Sequence, residues 1–168
     1  MENESDLSPA EQKVLRDIRT NGWAVITVAS EDGAPGWAFS IGFFKTFQQP
    51  EILLFGLRPQ TMQQLINQVA EQMEEGTKYA DGFRDDSLLE GYGCQFKQVA
   101  ERWYPETVGF ARWFYGETEF PLLQLYWPDK NGRFPWDRRC DPAIRALQPR
   151  LHIEDATEAG ADWLAADE

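Results

Sequence analysis

Apolar residues recur at helical spacing in two stretches of this chain. Val14, Leu15 and Ile18 form a stripe ahead of Asn21-Gly22, and Ser8-Pro9-Ala10-Glu11 before it has capping-box spacing with proline at the first helical position. A short surface helix therefore opens the fold. Met62, Leu65, Ile66, Val69 and Met73 make a longer stripe that starts at Pro59 and ends at Gly76, the most regular helical pattern in the chain. Between the two stripes the period shortens. Trp23–Ala29 is β-branched and apolar on both faces, as in a strand covered on both sides, and Glu31-Asp32-Gly33 turns it into a second strand over Trp37–Phe43. Glu51–Leu57 is a third strand. In the second, Trp37, Phe39, Ile41 and Phe43 take one face while Ala38, Ser40 and Gly42 leave the other nearly bare, open either to a packed helix or to a planar ligand.

The second half alternates less clearly. Gly76–Gly93 holds four glycines and paired acids without a sustained period, which predicts a long exposed loop. Cys94–Glu101 reads as a strand, Pro105–Tyr115 as an aromatic helix ended by Gly116, and Leu122–Trp127 as a strand with Leu123, Leu125 and Trp127 on one face and Gln124 and Tyr126 on the other. Asp129-Lys130-Asn131-Gly132 is turn chemistry, so residues 126–136 predict an aromatic hairpin that gathers Trp127, Phe134 and Trp136. The expected fold class is α+β, an antiparallel sheet or small split barrel with two to three packed helices. Residues 1–155 make a single domain, followed by a mobile acidic tail over 156–168 that contributes little to the fold.

Charge narrows the picture less than its size suggests. The chain of 168 residues carries a formal net charge of −12, but residues 1–6 contribute −3, residues 71–90 contribute −5 and residues 154–168 contribute −6, leaving the remainder at +2. Acidity confined to tails and one loop reads as a solvated surface and disfavours direct nucleic-acid binding. There is no apolar run long enough for a membrane span, and the N-terminal Met-Glu-Asn-Glu-Ser-Asp lacks the pattern of a secretory signal; a cytoplasmic protein is expected.

Familiar catalytic sets are missing. His152 is the single histidine and stands beside the acidic tail, Cys94 and Cys140 form no metal-ligand spacing, and no phosphate loop, dinucleotide fingerprint or calcium loop is present. No catalytic residue and no metal site is assigned. The candidate ligand residues are Ser40, Lys45 and Thr46 at the end of the second strand, where the lysine suits an anionic group, and Trp127, Arg133 and Trp136 in the aromatic segment.

Phe39-Ser40-Ile41-Gly42, Pro50-Glu51-Ile52-Leu53-Leu54-Phe55-Gly56-Leu57 and Gln124-Leu125-Tyr126-Trp127-Pro128-Asp129, with Gly132 and Phe134-Pro135-Trp136, resemble an uncharacterised bacterial family, the domain of unknown function four-two-six-two, over about residues 20–137. Members of that family often read His-Pro-Glu where this chain has Gln49-Pro50-Glu51. The order of elements from Thr27 to Met73 also resembles the flavin-binding split barrels. That likeness implies an FMN cofactor and an oxidoreductase, commonly dimeric, with Ser40, Lys45 and Thr46 near the flavin phosphate. Two readings follow. One is a non-catalytic binding or protein-interaction module, immunity-type proteins included, with an unknown protein or a small anionic ligand as partner and no cofactor; the alternative is the flavin-nucleotide-binding oxidoreductase, a homodimer.

Overall fold

The computed structural model describes residues 4–165; residues 1–3 and 166–168, the ends of the two acidic segments, lie outside the described residues. Six strands, β1 (Ala24–Val28), β2 (Trp37–Ile41), β3 (Glu51–Phe55), β4 (Arg84–Leu89), β5 (Tyr92–Gln98) and β6 (Leu122–Tyr126), form one open sheet in the order β1-β2-β3-β6-β5-β4. The class is α+β as expected. The sheet is neither wholly antiparallel nor closed into a barrel, because β3 and β6 pair in parallel at its centre and β1 and β4 remain as free edges. Both central strands are buried at every position, as strands covered on two faces must be.

The helices are α1 (Pro9–Asn21), α2 (Phe43–Phe47), α3 (Pro59–Glu74), α4 (Tyr104–Thr107), α5 (Gly109–Tyr115), α6 (Pro142–Leu147), α7 (Ala156–Ala159) and α8 (Asp162–Ala165). They exceed the expected two to three because several are single turns. Helix α1 forms where the capping box predicts, with the Ser8 hydroxyl accepting from Glu11 N–H and the Glu11 carboxylate from Ser8 N–H. Helix α3 buries Met62, Leu65, Ile66, Val69 and Met73 against Ala38, Ile52, Leu54, Leu123, Leu125 and Trp127. The bare face of β2 is thus covered by a helix. On the opposite face Val14 and Ile18 of α1, Ala111 of α5 and the C-terminal turns pack on Phe39, Ile41, Leu53, Phe55 and Leu122.

Four local expectations differ from the structure. Strand β2 ends at Ile41, since Gly42 (φ +117°) swings the chain into α2 and sends Phe43 to the α3 face; a Cβ at Gly42 would stand 2.6 Å from the Gly22 carbonyl oxygen. The expected loop over 76–93 contains β4, hairpinned to β5 through Glu90-Gly91. Its sequence, RDDSLL, buries only Asp85 and Leu88 and carries the charges that an edge strand tolerates. The segment after Asp129 turns, with Gly132 N–H on the Asp129 carbonyl, but continues without a second strand, so no hairpin forms. Residues 156–165, expected to add little, pack Ala159, Ala161 and Leu164 into the core and set Trp163 against Trp37 and Phe55.

Candidate functional site

Glu51, the first residue of β3, is fully buried yet ionisable, and its surroundings explain how it is tolerated. Helix α2 starts at Gly42, which has no side chain to cap it. The Glu51 carboxylate takes that role from a neighbouring strand, accepting from the N–H groups of Gly42, Phe43 and Phe44 at 3.1 Å each. The Ser40 hydroxyl donates to it at 2.7 Å, and the Tyr115 hydroxyl, from the end of α5, makes a short bond to the same carboxylate. Burial pushes Glu51 above the usual carboxylate range, opposed by the hydroxyls of Tyr115 and Ser40 and the amides of Phe44 and Gly42. Tyr115 is pushed up by its own burial and by the adjacent carboxylate. Glu51 therefore pins α2 and the end of α5 together from inside.

On the outer side of that junction lies a groove of about 880 Å³, within the size range of small-molecule sites. Leu7 just before α1 and Leu15, Ile18 and Arg19 on it line one side, Phe44, Lys45 and Gln48 line it from α2 and its end, and Trp113, Phe114, Tyr115 and Thr118 from α5 and the turn after it. Its described lining is mostly apolar or aromatic, with Gln48 and Thr118 as polar positions, Lys45 and Arg19 as basic ones, and no Asp or Glu among the described residues. The Lys45 ammonium sits 5.6 Å from the centre of the Phe114 ring and makes no ion pair with a described residue. Of the seven tryptophans, five place the indole N–H on a protein acceptor. Trp113 in the groove and Trp136 have no such acceptor among the described residues. A smaller depression of about 420 Å³ beside α4 and α5 is instead lined by Glu101, Glu117 and Glu119 with Arg112.

The residues singled out from sequence fall into two groups at opposite ends of β3, about 13 Å apart along a five-residue strand. Ser40, Lys45 and Thr46 gather at its Glu51 end. Ser40 spends its hydroxyl on Glu51 and on Ile52 N–H, and Thr46 donates to the Gly22 carbonyl oxygen at 2.6 Å, so of the three Lys45 alone faces the groove. Trp127 stands at the Phe55 end, buried, with its indole donating to the Phe55 carbonyl oxygen at 2.8 Å. Both main-chain groups of Trp127 bond the Gln148 side chain. Arg133 donates to the Arg139 carbonyl oxygen at 3.2 Å. Trp136, 38% exposed, stacks on Phe134 at 5.2 Å with Lys97 4.3 Å from its own ring centre.

Two further arginines of this segment are likewise occupied. Arg145 reaches the carbonyl oxygens of Pro135 and Asp137, and Arg150 those of Arg145 and Gln148. His152, half-buried, lies 3.2 Å from the Tyr126 hydroxyl; burial and then Lys97 push it below its ordinary value. Cys94 is buried and pushed up to about 12, mainly by desolvation, which leaves it a poor nucleophile. Gln49, beside the head of β3, is buried too, donating to the Thr77 carbonyl oxygen and accepting from Tyr79 N–H. Among the described residues no group of three or more His, Cys, Asp or Glu could hold a metal ion, and no helix is long and apolar enough to cross a membrane.

Sequence reasoning missed Glu51, Tyr115 and the groove. The one signal for Glu51 was an acid at the head of an otherwise apolar strand, opposite a helix start that lacks a capping side chain. Taken together, the open mixed sheet and its packed helices define an α+β protein with an aromatic-lined groove beside α1, α2 and α5. The chain belongs to the family described as Domain of unknown function (DUF4262), whose model matches residues 17–141. No curated protein and no solved structure matches it significantly.

Proposed function

We propose that this protein is a non-catalytic binding module that takes a small ligand into the groove between α1, α2 and the end of α5. The lining of that groove carries the reading: apolar and aromatic walls with a few polar ends, no carboxylate, histidine, cysteine or serine among the described residues, and a Tyr115 hydroxyl already committed to Glu51. The nearest ionisable group behind it, Glu51, is committed to five hydrogen bonds. Its carboxylate holds the walls and has no open side toward a ligand.

The test is a titration with ten-carbon amphiphiles and with FMN, followed by tryptophan emission and melting temperature. Saturable binding of one molecule per chain is expected from an amphiphile, and Leu15→Trp, which fills the groove from α1, abolishes it without lowering the melting temperature of the free protein. FMN binding that survives Leu15→Trp, with no amphiphile bound by the parent, overturns this reading in favour of a flavin site elsewhere.

A further inference from the structure

We infer that the ligand of this groove is an amphipathic anion: an aliphatic or aromatic body of roughly ten carbons ending in a carboxylate or similar singly charged head, which Lys45 receives. The inference rests on the binding reading above and adds the chemical class. Its basis is a contrast of charge. The chain carries 28 acidic and 16 basic residues, so a surface groove drawn without selection would meet carboxylates, as the depression lined by Glu101, Glu117 and Glu119 does. Among the described residues the larger groove meets Lys45 and no acid. Most other cations of the chain with a defined contact are spent within the protein: Lys13 on Asp17, Arg84 on Asp86, Arg139 on Asp137, Arg145 and Arg150 on carbonyl oxygens. The Lys45 ammonium has an aromatic ring and no acid.

Polarity inside the groove places the head group. The Tyr115 hydroxyl gives its proton to Glu51 and accepts from Lys45 N–H at 3.2 Å, so it offers an anion nothing and repels it from the inner wall. The head is therefore held at the Lys45 end, where a charge-assisted bond forms, and the body lies on Phe44, Trp113 and Phe114. A cationic amphiphile meets the reverse, the like charge of Lys45.

Decanoate, decan-1-ol and decylammonium share one body and differ only in the head, so calorimetric titration of the whole chain with the three separates the class from the site. Decanoate is expected to bind about tenfold more tightly than decylammonium, consistent with one charge-assisted contact. Lys45→Gln removes most of that preference and Lys45→Glu reverses it, while the affinity for decan-1-ol stays unchanged in both. Raising the salt narrows the gap between the charged pair. If the three bind equally well to the parent, or decylammonium binds best, the anionic class is wrong and the groove stands as a neutral or cationic site. If none binds, the binding reading itself fails. A preference for decanoate that persists in Lys45→Glu places the head elsewhere and overturns the assignment of Lys45.

Discussion

Two aromatic regions of this molecule look alike in sequence and differ in where their polar groups go. Around residues 126–135 the polar groups are largely answered from within, and only Trp136 at the exposed edge keeps an indole N–H without a described acceptor. Trp127 gives its indole N–H to Phe55 and both main-chain groups to Gln148, and the Asp129 carboxylate collects the N–H groups of Asn131, Arg133 and Asp141. Those amides hold Asp129 below the ordinary carboxylate range. Around residues 113–118 three rings stand together, but the Trp113 indole has no described acceptor and the Lys45 ammonium no described acid. Counting aromatic residues does not tell a core from a binding surface. Following each donor to its acceptor does, because a buried polar group must be satisfied by the protein itself, whereas one at a site is left for water or a ligand.

The sharpest way to break this contrast is Trp127→Ala. It removes a fully packed indole and orphans the Phe55 carbonyl, and the expected loss is about 3–5 kcal/mol by chemical denaturation. A variant as stable as the parent would return Trp127 to the list of ligand walls.

Next in size is Tyr115→Phe, which deletes one hydrogen bond to the buried Glu51 carboxylate while leaving the three amides on it. The expected cost is about 1.5–3 kcal/mol, the range for bonds to charged groups. No measurable loss would mean that Glu51 does not couple the two walls of the groove.

A third effect is a slope with pH. His152 is shifted downward in the folded protein by burial, Lys97 and Arg150, against Asp81, so the unfolded chain binds its proton first as the solution is acidified. The stability contributed by neutral His152 is present above the unfolded value of about 6.5 and is lost as the pH falls through it toward the folded value. The difference in melting temperature between the parent and His152→Gln should therefore be constant above neutrality and shrink below it. A difference that grows on acidification would reverse the sign and place His152 beside a net negative field.

The smallest effect belongs to the groove. Lys45 is exposed, so Lys45→Gln should change stability by no more than about 0.5 kcal/mol in the same denaturation assay. A larger loss would show that its ammonium already serves the fold.

Much of the architecture is local and could be read from the chain. The capping box at Ser8, the stripe from Met62 to Met73, and the alternation that turns Leu123, Leu125 and Trp127 to one face each depend on residues a few positions apart, and all are found where the pattern puts them. Strand β4 escaped because an edge strand buries little and its acids imitate a loop. Trp163 looked like part of a solvated tail because Trp37 and Phe55, which receive it, lie more than a hundred residues away.

Apart from Lys45, the candidate site belongs to that second kind. Its walls come from residues 7–19, 44–48 and 113–118, each with a composition that suits a core equally well. Lys45 was singled out by its type and place after a strand; that its companions would be Phe114 and Trp113 had no local trace. Nor could the chain alone explain a buried Glu51, whose five donors lie 7 to 64 positions away. Sequence by itself determined which segments turn helical or extended and which faces they bury, because backbone propensity and side-chain period act over one or two turns. Only the tertiary structure decided which apolar side chains line the groove and which charge stands beside them, because that outcome depends on how distant segments meet.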